Sequence, residues 1–273
     1  MLWIMHLVLL LNLLRLTGRF PVRFRSRKLW PVLLAGLFEP VLYFPCEQYG
    51  LRLTSTSFSG VMVALIPLCS LVYGAIFLHE KATWRQVVFS VLSVAGVIVL
   101  AVYATGIGAG SFLGFLILLG TVFAGAGYIV ACRACSVSFT AFERTYITCG
   151  MGAAAFGVLS VLEHRHDLSA VVLPMTHAPF ALAIVFLSVV ASVLSYLALN
   201  RALEVLPVAR TAALINFSTV VSVLAGVLLL HEPFGWVSAA ASAAILVGIW
   251  GVQRFAAPAV PDTAESAEPL SLS

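Results

Sequence analysis

One acidic residue stands in the middle of a long apolar run. Glu39 lies near the centre of the run 29–49 and is followed by Pro40. A run of this length that is apolar on all sides is typical of a membrane-spanning helix. An ionised carboxylate at that depth costs about 2.5 kcal/mol or more on insertion scales, so we expect it to face a polar interior or to bind a proton.

Two further polar side chains follow on the same predicted helix. Glu47 lies eight residues beyond Glu39, which is about 80° around the helix and about 12 Å along it. Tyr43 lies between the two acids, one turn from each, where it can stack on a bound solute or hydrogen-bond to it. The acids could serve one water-filled cavity at two depths. The alternative is a structural helix whose Glu47 simply reaches the headgroup region.

Three prolines in these runs are candidates for helix kinks. Pro40 and Pro45 lie on the helix of Glu39, and Pro67 lies in the run 57–78. Proline removes a backbone donor, so nearby carbonyl groups become free for a ligand or for water.

A second set of polar residues occurs in the runs 178–200 and 206–230. Ser188, Ser192 and Ser195 follow helical spacing, and small hydroxyl residues of this kind favour close helix packing over solute binding. Tyr196 remains a candidate for solute binding. Asn216 is the leading candidate of this half, because an amide at mid-depth needs hydrogen-bond partners. The other polar members of the set are Asn200, Ser218 and Thr219.

Other reactive residues favour structural interpretations. His79-Glu80 and His231-Glu232 have no second histidine at helical spacing, so we expect helix ends there rather than a metal site. Cys132 and Cys135 form a lone Cys-x-x-Cys, and five cysteines in apolar surroundings predict no disulfide framework. Glu143 and Arg144 begin an apolar run, where a gating salt bridge is possible and a solvated helix terminus is favoured.

The composition places these residues in a membrane protein. The chain has 62% hydrophobic and 10% charged residues, which leaves too little polar surface for a water-soluble globule. Short alternating segments typical of a barrel are missing from the pattern, so the prediction is an all-α polytopic membrane protein. Nine spans are predicted, at 1–16, 29–49, 57–78, 84–104, 111–132, 141–162, 178–200, 206–230 and 235–253.

The sequence contains an internal repeat with an offset of 152 residues. Leu78-His79-Glu80, Trp84 and Gly96 recur as Leu230-His231-Glu232, Trp236 and Gly248. An odd number of predicted spans, five, separates the copies, so the second copy is expected to be inverted in the membrane, as in secondary transporters.

The basic residues give the predicted orientation. If segment 17–28 is cytoplasmic, thirteen of the fifteen Lys and Arg residues lie inside, and Arg52 and Arg165 lie outside. The same assignment makes an interaction of the basic segment 17–28 with anionic headgroups far better supported than binding of nucleic acid. The carboxyl terminus is then cytoplasmic, and the polar segment 255–273 is expected to be a disordered tail.

The repeat also predicts an unequal division of the chain. The second half, 111–254, has five predicted helices, whereas the first half, 1–104, has four, and the run 1–16 is short for a span. We expect a ten-helix plan whose first helix is lost or truncated, either by the placement of the start codon or in the protein itself.

These motifs resemble the EamA type of the drug/metabolite transporter superfamily. The resemblance rests on Thr54-Ser55, the run from Ser57 to Pro67, both Leu-His-Glu motifs with their tryptophans and glycines, and Ala198-Leu199-Asn200-Arg201-Ala202-Leu203 followed by Ala209. The chain departs from the family pattern at Thr219, where the family has a proline opposite Pro67.

The resemblance implies an inverted-repeat transporter bundle that moves small metabolites, often amino acids or related compounds, out of the cell by alternating access. It also implies that the helices 29–49, 57–78, 178–200 and 206–230 line a midplane cavity. We expect a monomer or homodimer in the cell membrane, no cofactor and no enzymatic activity. The alternatives are a membrane-embedded enzyme, for which no convergent catalytic set is visible, and a non-transporting membrane subunit.

Overall fold

A computed structural model describes residues 28–54, 62–105, 111–163, 176–217 and 235–255, with single positions at Asn12, Leu16, Ser59, Val220, Val221, Leu224 and Leu228. All regular structure within these residues is helical, which confirms the predicted all-α class for them. Most of the predicted helix 1–16, the second Leu-His-Glu copy, Ser218, Thr219 and the tail after Phe255 lie outside the described residues.

The helices follow one another as the apolar runs predict. The first half contains α1 Trp30–Gly36, a π-helical segment Leu37–Leu42, α2 Tyr43–Leu53, α3 Ile66–Phe77 and α4 Trp84–Thr105. The second half contains α5 Phe112–Ala134, α6 Ala141–Glu163, α7 Ala178–Phe186, a π-helical segment Leu187–Leu194, α8 Ser195–Val205, α9 Val208–Ile215 and α10 Trp236–Arg254.

Three of the described helices are long and apolar enough to cross a membrane, namely Phe112–Ala134, Ala141–Leu162 and Trp236–Arg254. Large apolar side chains also lie on the outside of the bundle, among them Trp84 on α4 and Trp250 on α10. In water such a surface would be costly, whereas lipid tails solvate it.

The starts of α4 and α6 are capped by residues close in sequence. The backbone N–H of Thr140 donates to the Glu143 carboxylate (3.0 Å), and the Glu143 N–H donates to the Thr140 hydroxyl (3.3 Å). Thr83 and Gln86 exchange the same two bonds at the start of α4. Both pairs are capping boxes, which satisfy N–H groups that lack a partner within their helix.

The three prolines have different effects on the helices. Pro40 is inside the first π-helical segment, directly after the backbone becomes non-helical at Glu39. Pro67 lies in the first turn of α3, which begins after a turn at Ala64 and Leu65, so the predicted run 57–78 is interrupted there. Pro45 lies in the first turn of α2, three residues after the end of the π-helical segment, and a kink at Pro45 itself stays a prediction.

The two halves match in structure at the sequence offset. The π-helical segments end at Leu42 and Leu194, and α2 and α8 end at Leu53 and Val205. Each pair of positions is 152 residues apart. The interrupted helix is therefore a feature of both copies.

The pair α4 and α10 packs in an antiparallel arrangement. The Thr83 hydroxyl, just before α4, donates to the carbonyl of Phe255, just after α10 (2.8 Å). A Cβ added to Gly96 would lie 2.8 Å from Ile245 Cγ1, and one added to Gly248 would lie 2.6 Å from Ser93 Cβ. Gly96 with Gly248, and Ser93 with Ile245, are equivalent under the 152-residue offset. The two contacts are thus one contact made twice with the roles exchanged.

Candidate functional site

The Glu39 carboxylate binds a tyrosine from the other half of the chain. Tyr196, at the second position of α8, donates its hydroxyl hydrogen to Glu39 Oε1 at 2.5 Å. Both side chains are half-buried. A residue inside the break of the first interrupted helix therefore contacts a residue at the point where the second interrupted helix resumes its α-helical form. The contact is a charge-assisted hydrogen bond if the carboxyl group is ionised.

Local sequence explains why Glu39 can reach out of its helix. Its backbone is extended (φ −141°, ψ 122°), and the following Pro40 disfavours the helical conformation of the residue before it. Pro40 packs against Gly152 on α6, where any side chain would overlap the proline ring. The break therefore has a complementary surface on a second-half helix.

A second carboxylate lies further along the same helix. Tyr43 donates its hydroxyl hydrogen to Glu47 Oε1 at 3.3 Å, and both side chains are half-buried. The Tyr43 ring contacts α5, since a Cβ on Gly125 would lie 3.3 Å from Tyr43 Cε2. Among the described residues no basic side chain forms an ion pair with Glu39 or Glu47.

Further aromatic rings pack on the two tyrosines that bind these carboxylates, and another lies next to Glu39 in sequence. Tyr43 and Phe44 pack edge to face with centroids 5.3 Å apart. Phe38 lies against Gly127, and Tyr196 packs edge to face on Tyr128 at 6.0 Å. Carboxylates with aromatic faces nearby attract cations. The site can therefore bind a proton or an organic ammonium group.

Tyr128, on which Tyr196 packs, belongs to a buried network of hydrogen bonds. The Asn200 side-chain amide donates to the hydroxyl oxygens of Tyr128 and Thr145, both at 3.1 Å, and all three residues are buried. Asn200 was among the polar residues considered from the sequence, whereas Tyr128 and Thr145 were not. The signal was weak, because a tyrosine among glycines and alanines on α5 reads as ordinary packing.

Asn216 does not join the Glu39 site. Its amide, directly after α9, donates to Ser93 Oγ on α4 at 3.0 Å, and the side chain is buried. Its need for a partner was correctly predicted, but the partner is a serine on α4. Ser192 likewise satisfies its own segment, since its hydroxyl donates to the carbonyl of Leu187 at 2.8 Å. The side chain of Ser188 lies outside the described residues.

The favoured interpretation of Arg144 as part of a solvated helix terminus is wrong. Its side chain is fully buried, and it bonds to Glu204 Oε1 at 3.0 Å. It also donates to the carbonyls of Cys132 and Asn200, both at 2.6 Å. A guanidinium has several donors in a planar fork and can bond to two backbone carbonyls while it neutralises a carboxylate. Spacing within α6 could not reveal this, because the acid is 60 residues away.

Metal ligation has no support in the described part of the chain. No group of three or more His, Cys, Asp or Glu residues lies there in an arrangement that could hold a metal ion. Cys132 and Cys135 are buried thiols, and Cys135 donates to the Cys132 carbonyl at 3.5 Å. This contact is a local one at the end of α5.

Long apolar helices, an apolar exterior and a polar cluster held inside the bundle define a multi-pass membrane protein. The sequence model of the EamA-like transporter family matches residues 1–102 and 112–254. The chain therefore belongs to the EamA-like transporter family, within the drug/metabolite transporter superfamily. The two matched ranges correspond to the two halves related by the 152-residue offset.

Two similar proteins are named as transporters, without a stated substrate. The chain is 30% identical over 239 residues to the uncharacterized transporter YcxC of Bacillus subtilis (strain 168), covering 86% of this chain and 77% of that protein. It is 27% identical to an uncharacterized transporter of Archaeoglobus fulgidus over 235 residues, covering 85% and 80%. One crystal structure superposes with a TM-score of 0.75 at 20% identity, covering 91% of this chain and 84% of that one, which shows a shared fold.

Proposed function

We propose that the protein is a secondary transporter that exports small metabolites, such as amino acids or amine-containing compounds, by alternating access. The observation that carries the proposal is the bond from Tyr196 to Glu39 at the two interrupted helices. A carboxylate with no cationic partner among the described residues is suited to alternate between a proton and a cationic solute. Tyr43 and Glu47 extend the same surface.

The transport cycle follows from a proposed inverted relation between the halves. The antiparallel packing of α4 on α10 supports that relation, because equivalent helices that run in opposite directions require oppositely oriented repeats. The two halves would rock about the midplane site and expose it to either side in turn. With the basic residues inside, the protein lies in the plasma membrane with a cytoplasmic carboxyl terminus.

The substrate class is tested by resistance. Cells that overexpress the protein are challenged with a panel of toxic amino-acid and amine analogues, and the compounds that are tolerated are then tested in proteoliposomes with an imposed pH gradient. We expect at least one amine-bearing compound to be moved. Purified protein that moves none of the panel compounds would contradict this substrate class.

Removal of the Glu39 charge tests whether this residue couples transport to the pH gradient. The Glu39→Gln variant removes the titratable group and preserves the shape of the side chain. A hydrogen bond to a charged group contributes about 1.5–3 kcal/mol, so accumulation driven by the pH gradient should fall about 10- to 100-fold. The exposed Gln48→Ala variant on the same helix is the control. Transport by Glu39→Gln with the wild-type pH dependence would remove Glu39 from coupling.

A further inference from the structure

Glu80, the last residue of the first Leu-His-Glu motif, is held in place by the end of α3. Its backbone N–H donates to the Gly74 carbonyl at 3.1 Å, as does that of Leu78. His79 between them has a positive φ of 55°, a conformation in which histidine is several-fold enriched among residues other than glycine. This turn ends α3 and directs the Glu80 side chain toward the second half.

The Glu80 carboxylate uses both oxygens on second-half groups. Oε2 accepts from the backbone N–H of Val208, the first residue of α9, at 2.8 Å. Oε1 accepts from Arg133 Nε, in the last turn of α5, at 3.4 Å. A first-turn N–H has no partner within its own helix, and the positive end of the helix favours a carboxylate.

Arg133 extends the contact to a third helix end. One of its terminal nitrogens donates to the carbonyls of Leu203 (2.9 Å) and Glu204 (3.0 Å) at the end of α8. Its charge thus complements the negative end of that helix. The ends of α3, α5 and α8 and the start of α9 therefore meet at one end of the bundle.

The close approach of α3 to α9 depends on Gly74. A Cβ at this position would lie 3.3 Å from Val208 Cβ and 3.5 Å from Glu80 Oε2. The first distance is tighter than an ordinary van der Waals contact, so the glycine lets the carboxylate reach the helix end.

Two ion pairs at this end differ in what they join and in their access to solvent. Arg144 and Glu204 both belong to the second half, and their side chains are 0% and 14% exposed. Glu80 and Arg133 belong to different halves, and their side chains are 23% and 24% exposed. Separation of Arg144 from Glu204 would leave a fully buried guanidinium without its counter-charge, whereas Glu80 and Arg133, both partly exposed, would regain water when they part. The first pair suits a rigid unit, and the second suits a contact that opens.

We propose that Glu80 is a gate residue, whose bonds to Val208 and Arg133 hold the two halves together on the predicted cytoplasmic side and break when the carrier opens there. On α8, Glu204 lies eight residues beyond Tyr196, about 12 Å along the helix. The gate thus lies at one end of the path to Glu39. This inference rests on the proposed alternating access.

Cys132 is a native reporter of this opening. It precedes Arg133, is fully buried, and belongs to the same core as Leu203 and Val208. In a background that retains Cys132 and replaces the other four cysteines, its reaction with a membrane-impermeant maleimide measures access from each side of vesicles. We expect slow labelling of the wild type from the cytoplasmic side.

The variants separate the two bonds. Glu80→Gln keeps an oxygen acceptor for Val208 and loses the ion pair, whereas Glu80→Ala loses both. Labelling of Cys132 from the cytoplasmic side should rise about ten-fold or more in Glu80→Ala, and by a smaller factor in Glu80→Gln and Arg133→Gln. Lys81→Gln, which removes an exposed neighbouring charge, should label like the wild type.

The outcomes are distinguishable from loss of folding and from failure of the proposed function. Each variant is first shown to be monodisperse with an unchanged thermal midpoint, and Glu80→Gln and Arg133→Gln preserve the test if Glu80→Ala does not fold. Labelling within two-fold of the wild type in the Glu80 variants, or an equal rise in Lys81→Gln, would overturn the gate. Absence of transport alongside the expected labelling would count against the proposed function alone.

Discussion

The bond between Glu39 and Tyr196 joins one residue that is easily recognised as a candidate in the sequence and one that is not. An acid inside an apolar run is conspicuous because lipid makes it costly. A tyrosine in another apolar run is unremarkable. They are 157 positions apart in sequence, so no local pattern can pair them.

The Tyr196→Phe variant tests whether the Tyr196 hydroxyl group contributes to transport. The substitution removes the hydroxyl group and keeps the ring that packs on Tyr128. We expect the initial transport rate of a compound found in the resistance screen to fall about ten-fold or more, because the bond to a charged group is worth about 1.5–3 kcal/mol. The loss should be greatest at pH values where Glu39 is ionised. The exposed Tyr103→Phe variant is the control, and equal rates in the two variants would exclude Tyr196 from the site.

Interrupted helices are the element that positions this site. In both halves a π-helical segment separates two α-helical pieces, and the segments end 152 residues apart. Only the first has a proline to explain it. In the second, the Ser192 hydroxyl donates to the Leu187 carbonyl five residues earlier. A side-chain hydrogen bond therefore stabilises the second interruption, whereas a proline accounts for the first.

The α4 and α10 pair offers a test of helix packing. A Cβ on Gly248 would lie 2.6 Å from Ser93 N and 2.7 Å from the Phe89 carbonyl oxygen. These are backbone atoms, which cannot move without displacing α4. Gly248→Ala should therefore lower the free energy of unfolding by about 1–3 kcal/mol, measured by thermal unfolding in detergent.

Replacement of a second glycine, Gly157, should have the opposite effect on stability. Gly157 lies inside α6, and nothing comes within 4 Å of a Cβ placed there. Gly157→Ala should leave stability unchanged or raise it by up to about 1 kcal/mol, since alanine is the better helix former. Equal destabilisation by both substitutions would mean that the α4 and α10 contact is looser than described.

At the scale of the whole molecule, the proposed inversion can be tested by labelling. Trp84 and Trp236 occupy equivalent helix starts, and they are 76% and 91% exposed. In a background without the five native cysteines, Trp84→Cys should react with an impermeant maleimide only from the cytoplasm and Trp236→Cys only from outside. Reaction of both from the same side would refute the inverted arrangement and the two-sided rocking proposed from it.

The helical class, the limits of four helices and the family could all be predicted from the sequence alone. The predicted runs 84–104, 111–132, 141–162 and 235–253 differ by at most two residues from α4, α5, α6 and α10. These properties depend on local composition and on a repeat that can be read along the chain. The sequence also identified Glu39, because the cost of a buried charge depends on the run around it.

Which polar groups meet could be seen only from the way the helices pack. This packing paired Asn216 with Ser93, buried Arg144 against Glu204, and joined Glu80 to Arg133 and Val208. Each of these partners lies at least 50 residues away, beyond the reach of helical periodicity. A buried donor or acceptor must find a partner, but the partner depends on which helices pack together, and that is a property of the whole bundle.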